Sequence, residues 1–221
     1  MYRPQLFIVL CLLAIASART ETQAATRDEN RSNLIDLSKI IEGSPALAPF
    51  QHVRFCLRNP SDCRSNSSAE QRILMTPEVM ATMKAINRAT NAAIRPIVKT
   101  HGANLADGWE IAPSTGDCND YAVTKRHLLL EKGLPTSALR LSVTRTNLGQ
   151  GHLVLVVSTT KGDLILDNLN PEIHPWISTD YRWLKIQSAA DPRLWYDIAD
   201  PAAADRISSP ADTTGLRVAR R

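Results

Sequence analysis

No internal repeat and no strong compositional bias mark this chain of 221 residues. Hydrophobic residues at 43% and charged residues at 22% sit near the globular average, which argues against both wholesale disorder and a membrane protein. The net charge of +4 is small and much of it lies in the terminal GLRVARR. The chain therefore lacks the interleaved basic and aromatic surface that would point to a nucleic acid partner. It also lacks an apolar run that would rest comfortably in a bilayer: the longest, LFIVLCLLAIASA near the start, is too short. What is left is a chain long enough for one domain of ordinary size with a real core.

That apolar run has another reading. It follows one positive charge in MYRPQ and ends at Ala16-Ser17-Ala18, a small-x-small cleavage site, with Thr22-Gln23-Ala24 as a later cut. This predicts a secretory signal peptide over residues 1–24 and a soluble exported product. Cutting after Ala24 removes two arginines and one glutamate, so the exported chain stays mildly basic.

Cysteine is scarce. There are four, at 11, 56, 63 and 118, and the first leaves with the signal peptide. Cys56 and Cys63 flank Asn59-Pro60-Ser61-Asp62, a turn sequence able to fold the chain back and bring their β-carbons together. In an oxidising compartment this pair is expected to form a disulfide; free thiols and a zinc site are the alternatives, the latter without a second Cys or His pair at ligand spacing. Cys118 is then the leftover thiol, which in an exported protein is an intermolecular partner, a small buried hydrophobe or a reactive group.

The pattern along the chain predicts a flexible lead-in over 25–44, an ordered domain over 45–198 and a mobile tail over 199–221, where ADPAAADRISSPADTTGLRVARR has no periodicity. Within the domain, Thr76 as cap, Pro77 at the first position and Glu78 in the first turn open a helix. Its apolar stripe runs Val79, Met83, Ile86, Thr90, Ile94, Ile97, with a kink or stop at Pro96. NLADGWEIAPSTG is a loop. A second helix starts in GDCNDYA with Asp117 as cap and stops at Gly133, placing Cys118, Ala122 and Leu129 on one face. Strands follow. ALRLSVTRT alternates Leu139, Leu141 and Val143 with Arg140, Ser142 and Thr144, as a half-buried strand would. HLVLVVSTT and DLILDNL are apolar on both faces and read as central strands joined by the turn TKGD.

A thiol at a helix start sits where unpaired N–H groups and the helix dipole favour a thiolate. The flanking Asp117 and Asp120 oppose this, so an imidazolium is needed as counter-charge. His152 opens a buried strand behind a glycine pair, and Asp167 closes the next strand. If the two strands form an antiparallel hairpin with an even loop, both side chains share a face within hydrogen-bond reach. Cys118, His152 and Asp167 then read as nucleophile, base and orienter of a thiol hydrolase or acyltransferase. The Cys118 N–H would be one oxyanion donor, with Trp109 as a wall or second donor. The competing readings are structural: His152 as a strand-edge histidine and Asp167 as a turn former. His174 is a rival base beside prolines, and His127 is placed on the solvent face of the second helix.

At these residues the sequence resembles the bacterial transglutaminase-like cysteine peptidases. It carries GDCNDYAVTKRHLLLEKGLP, GHLVLVV, LILDNL and, upstream, FCLRNPSDC, in the family order over about residues 45 to 198. The resemblance implies a papain-like or transglutaminase-like α+β fold, with the catalytic Cys, His and Asp carried onto Cys118, His152 and Asp167. It also implies a periplasmic cysteine protease. In the LapG-type branch such enzymes release large biofilm adhesins, answer to an inner-membrane receptor for cyclic di-GMP, and depend on calcium. The calcium ligands of that branch flank the nucleophile, at positions matched here by Asp117, Asn119 and Asp120. Asn119 departs from the usual Glu, and an amide in place of a carboxylate lowers ligand charge and weakens such a site. No cofactor is expected for the chemistry itself. Acyl transfer to an amine and a non-catalytic binding module are the other functions the residues leave open.

Overall fold

A computed structural model describes residues 39–66, 71–99 and 108–199. The signal sequence, His101 and the tail expected from residue 199, apart from Ala199 itself, lie outside the described residues. Among those described, no helix is long and apolar enough to cross a membrane. The architecture is α+β. Strands β1 (Glu42–Ala46), β4 (Leu139–Arg145), β5 (Gly151–Thr159), β6 (Gly162–Leu166), β7 (His174–Pro175), β8 (Arg182–Gln187) and β9 (Trp195–Ile198) form one sheet in the order β1-β9-β8-β4-β5-β6-β7. Every neighbouring pair in it is antiparallel. Helices α1 (Phe50–Arg58), α2 (Pro77–Ala93) and α3 (Cys118–Glu131) precede most of the sheet, and a short parallel pair, β2 (Arg95–Pro96) with β3 (Thr115–Gly116), links α2 to α3.

The α2 signals act as expected. Thr76 caps the helix by accepting from the Val79 N–H, and Met83, Ile86 and Thr90 are buried along its stripe with Ile94 just beyond. Ile97 leaves the stripe and is exposed, because Pro96 turns the chain into β2. Met83 and Ile86 pack with Ala122, Val123 and Leu129 of α3 against Leu139, Leu141, Leu153, Leu155 and Val157 of the sheet. Burial of each of the larger of these side chains stabilises the fold by roughly 1.5–3 kcal/mol relative to exposure.

Two expectations need correction. β4 is not half-buried: Arg140, Ser142 and Thr144 are as enclosed as the leucines between them. β4 lies between β8 and β5, and on its second face the neighbouring strands carry a separate buried cluster of Val154, Val156, Ile165 and Ile186, joined by Ile40. The buried Arg140 guanidinium is matched by Glu42 at 3.1 Å and Asp163 at 3.4 Å, and Ser142 donates to the Lys185 carbonyl. The ordered chain also starts before residue 45. Ile40 is buried and β1 pairs with β9, so the last part of the expected lead-in is an edge of the sheet.

The turn after α1 closes as its sequence predicts. Asp62 N–H donates to the Asn59 carbonyl, Cys63 N–H to that of Pro60, and Cys56 and Cys63 are joined in a disulfide with Cα atoms 5.4 Å apart. With both sulfurs in that bond, the zinc reading loses the thiolates it requires, although His52 lies beside them. Buried His52 is pulled down to about 4 by desolvation and the nearby Arg126, so it is a neutral packing group.

Candidate active site

Cys118 is the free cysteine among the described residues and is half-buried at the first position of α3. Its placement comes from a reciprocal cap. Asp117 accepts from the Asn119 N–H at 3.0 Å, while Asp120 reaches back to accept from the Asp117 N–H at 2.8 Å. The second oxygen of Asp120 accepts from the Glu110 N–H at 2.9 Å, tying the preceding loop to the helix. Thr124 does the same one turn on, accepting from the N–H of Ala112. Gly116 is required at this crowded point, since a Cβ there would stand 2.6 Å from Asp120 Oδ2 and 2.8 Å from its Cβ. Gly116→Ala is expected to lower stability by about 1–3 kcal/mol, measured as a fall in the thermal unfolding midpoint.

The histidine and the carboxylate come from the β5–β6 hairpin. Thr159 pairs with Gly162 and Leu155 with Leu166, so the loop holds only Thr160 and Lys161. That even loop puts His152 and Asp167 on one face in diagonal register, and His152 Nε2 lies 2.8 Å from Asp167 Oδ1. Cys118 and His152 line the same two clefts, and the thiol is close enough to the imidazole to favour its cation. Since Nε2 is taken by Asp167, Nδ1 is the nitrogen left for the thiol.

Burial disfavours the His152 cation, but the hydrogen bonds and charges of Asp167 and Cys118 outweigh it and push the ring up to about 9. Asp167 shows the reverse balance. Burial raises its carboxyl, yet His152, the Tyr181 hydroxyl and the Leu169 N–H together hold it below the usual carboxylate range. The Leu169 N–H donates to Oδ1 at 3.0 Å and Tyr181 donates to Oδ2. The Tyr181 ring also meets His152 edge to face at 5.5 Å. Behind this group the Lys125 ammonium is buried, and desolvation draws it down to about 7 against the pull of Asp167.

The site opens on two sides. One cleft of about 610 Å³ is lined by Ile97, Val98, Tyr121 and Leu169, the other of about 540 Å³ by Phe50, Gln51, Trp109 and Val143, and both include Cys118, Gly151 and His152. Trp109 is a wall, its ring packed near Phe55 and His52. Gly151 places no side chain at the shared rim, and a Cβ there would meet open space. The structure therefore brings Cys118, His152 and Asp167 together. It holds His174 in β7, and pairs His127 with Asp62 at 3.0 Å, so His127 is half-buried and not simply on a solvent face. Tyr181 and Lys99 were not marked by any local pattern. Each reaches the site from outside the strands that carry it, Tyr181 from just before β8 and Lys99 from three residues beyond β2.

The residues at the positions implied for calcium are differently occupied. Asp120 is enclosed, with both oxygens accepting from backbone N–H groups, and Lys99 Nζ lies 2.7 Å from its Oδ2. The Asn119 amide nitrogen faces the Asp117 carboxylate at 3.1 and 3.2 Å. A calcium ion takes six to eight oxygen ligands with free lone pairs. In this structure the carboxylate oxygens of Asp117 and Asp120 are directed at N–H and ammonium groups.

A thiol at a helix start, facing a histidine and a carboxylate on antiparallel strands, is the layout of the papain-like and transglutaminase-like cysteine peptidases. The chain belongs to the bacterial transglutaminase-like cysteine proteinases, whose family model matches residues 42–203, and it is a cysteine peptidase. Among solved structures it is similar to LapG of Legionella pneumophila in a calcium-bound form, at 24% identity and a TM-score of 0.47, covering 58% of this chain and 80% of that one. A second LapG structure matches at 21% identity and 0.46, covering 80% and 91%. An EGTA-treated form matches at 20% and 0.45, covering 78% and 90%. Comparison with curated proteins gives no match.

Proposed function

We propose that this peptidase acts in the periplasm and cuts an extended segment of a protein substrate through Cys118, His152 and Asp167. The observation that carries this reading is the hydrogen-bonded His152–Asp167 pair beside a thiol kept out of the Cys56–Cys63 disulfide. The Cys118 sulfur attacks the scissile carbonyl, and the proton held by His152 passes to the leaving amine as the C–N bond breaks. Water then loses a proton to His152 and attacks the thioester, releasing the acid and restoring the thiol. Asp167 keeps the ring oriented and its cation stabilised throughout. The Cys118 N–H is one oxyanion donor, and Gln51 is the amide side chain on the adjoining wall.

Clefts on both sides of Cys118 suit a cut within a chain more than trimming of an end. The disulfide and the signal-like first 24 residues support an exported enzyme. On the family resemblance, the substrate is a surface adhesin and the regulator an inner-membrane receptor for cyclic di-GMP.

The test is mass spectrometry of periplasmic and surface proteins from cells carrying the wild type or Cys118→Ala. A surface protein that loses a terminal segment only with the wild type supports the proposal, and identical profiles defeat it. Incorporation of a labelled amine in place of hydrolysis would assign acyl transfer instead. With the folded protein, iodoacetamide is expected to modify Cys118 and to reach Cys56 and Cys63 only after reduction, as read by peptide mapping.

A further inference from the structure

The cation at the start of α3 is carried by the chain itself. Lys99 lies three residues beyond β2 and places Nζ 2.7 Å from Asp120 Oδ2 and 3.1 Å from the Gly108 carbonyl. Its side chain is 10% exposed and that of Asp120 is 0% exposed, so this ion pair is shielded from solvent. Asp120 meanwhile accepts from the N–H groups of Glu110 and Asp117, and Gly116 has no side chain to hold it off. One carboxylate thus gathers the exit of β2, the Gly108–Glu110 strap that carries Trp109, the β3–α3 junction and α3 itself. Lys99, Asp117 and Cys118 line the same cleft.

A carboxylate that binds several segments needs a positive partner, or it stays buried and uncompensated. A divalent ion is one solution and demands oxygen lone pairs from every side. Here the partner is an ammonium with three donors, two of them directed at Asp120 and the Gly108 carbonyl.

We propose that Lys99 is the resident cation of this peptidase, standing where a calcium ion would otherwise be required, so that the enzyme works without calcium. Lys99 is then a positioning residue: through Asp120 it fixes the N-terminus of α3, and with it the Cys118 sulfur and the Trp109 wall. The positioning role rests on the reading of Cys118 as nucleophile, whereas the lack of calcium binding does not.

The experiment has two arms on the purified protein. In the first, isothermal titration with calcium up to about 1 mM, the weak end for extracellular calcium sites, is expected to give no binding. The thermal midpoint should be the same in calcium and in EGTA. Saturable binding with a raised midpoint overturns the proposal whatever the protein cleaves. In the second, Lys99→Met is expected to lower kcat by about tenfold or more with KM held within about twofold, and Lys99→Arg to recover most of the loss. An unchanged kcat in Lys99→Met, or an equal loss in Lys99→Arg, overturns the positioning role. Should Lys99→Met not fold, Lys99→Arg and the calcium arm still decide. A wild type that cleaves nothing defeats the proposed function and leaves the calcium result standing.

Discussion

Cys118→Ala is expected to abolish peptide-bond hydrolysis while the protein stays folded. The thiol is the nucleophile in the proposed mechanism, and no neighbouring group replaces it. Asp117 and Asp120 are committed to the helix cap, Tyr181 to Asp167, and the other two described cysteines to a disulfide. When one member of a set that works as a unit is removed, the rate falls nearly as far as when all are removed, on the order of a millionfold in kcat. The structural cost is small, because the side chain is half-buried and loses one sulfur atom. A change of about 1 kcal/mol moves the midpoint of a chain of this size by roughly 2–4 °C. The measurement pairs cleavage of a substrate found by the surface proteomics with thermal unfolding of the same sample. A variant that still cleaves at the wild-type rate removes Cys118 from the chemistry. One that loses both cleavage and folding calls for Cys118→Ser, which keeps the shape of the side chain.

Much of this site could be read from the sequence because its parts are local. The Asp117 cap, the glycine before it and the stop at Gly133 are written in consecutive residues, and the parity of the TKGD turn decides whether His152 can meet Asp167. The two-residue loop supplies the even count. What was not legible depends on distant contacts. Arg140 alternates with leucines as a solvent-facing residue does. Only the arrival of Glu42 and Asp163, 98 and 23 residues away, makes its burial tolerable. Lys99 looks like the charged end of an apolar helix, and its role appears when β2 pairs with β3 and delivers it to Asp120. Tyr181 is silent for the same reason. Local propensity and patterning mark the elements, while the groups that complete a buried polar network are chosen by tertiary approach.

Asp167→Asn is expected to move the alkaline limb of kcat/KM toward acid and to depress activity at neutral pH. In the wild type His152 is raised to about 9, so the ring keeps its proton through neutrality and the limb should fall near that pH. The charged and titratable groups around the ring are Cys118, Asp167 and Tyr181, with Lys125 behind Asp167. Of these, Asp167 supplies the main support for the cation, and burial opposes it. Replacing the carboxylate by an amide leaves burial in place and removes that support, so the limb should shift down by about one to three pH units. The amide can also hold the ring in the wrong tautomer. kcat/KM at neutral pH should then fall by roughly two to four orders of magnitude. Stability follows the same sign. His152 has a folded pKa above its unfolded value of 6.5, so its contribution, about 3 kcal/mol, is fully present below pH 6.5 and lost as pH rises through about 9. Seen from Asp167, whose carboxyl is held low, the same interaction is present above the ordinary carboxylate range and lost on acidification. The two describe one pair and count once. The wild-type thermal midpoint should therefore decline between pH 6.5 and 9 more steeply than that of Asp167→Asn. Parallel declines, or an alkaline limb that does not move in the variant, would show that Asp167 does not set the protonation of His152.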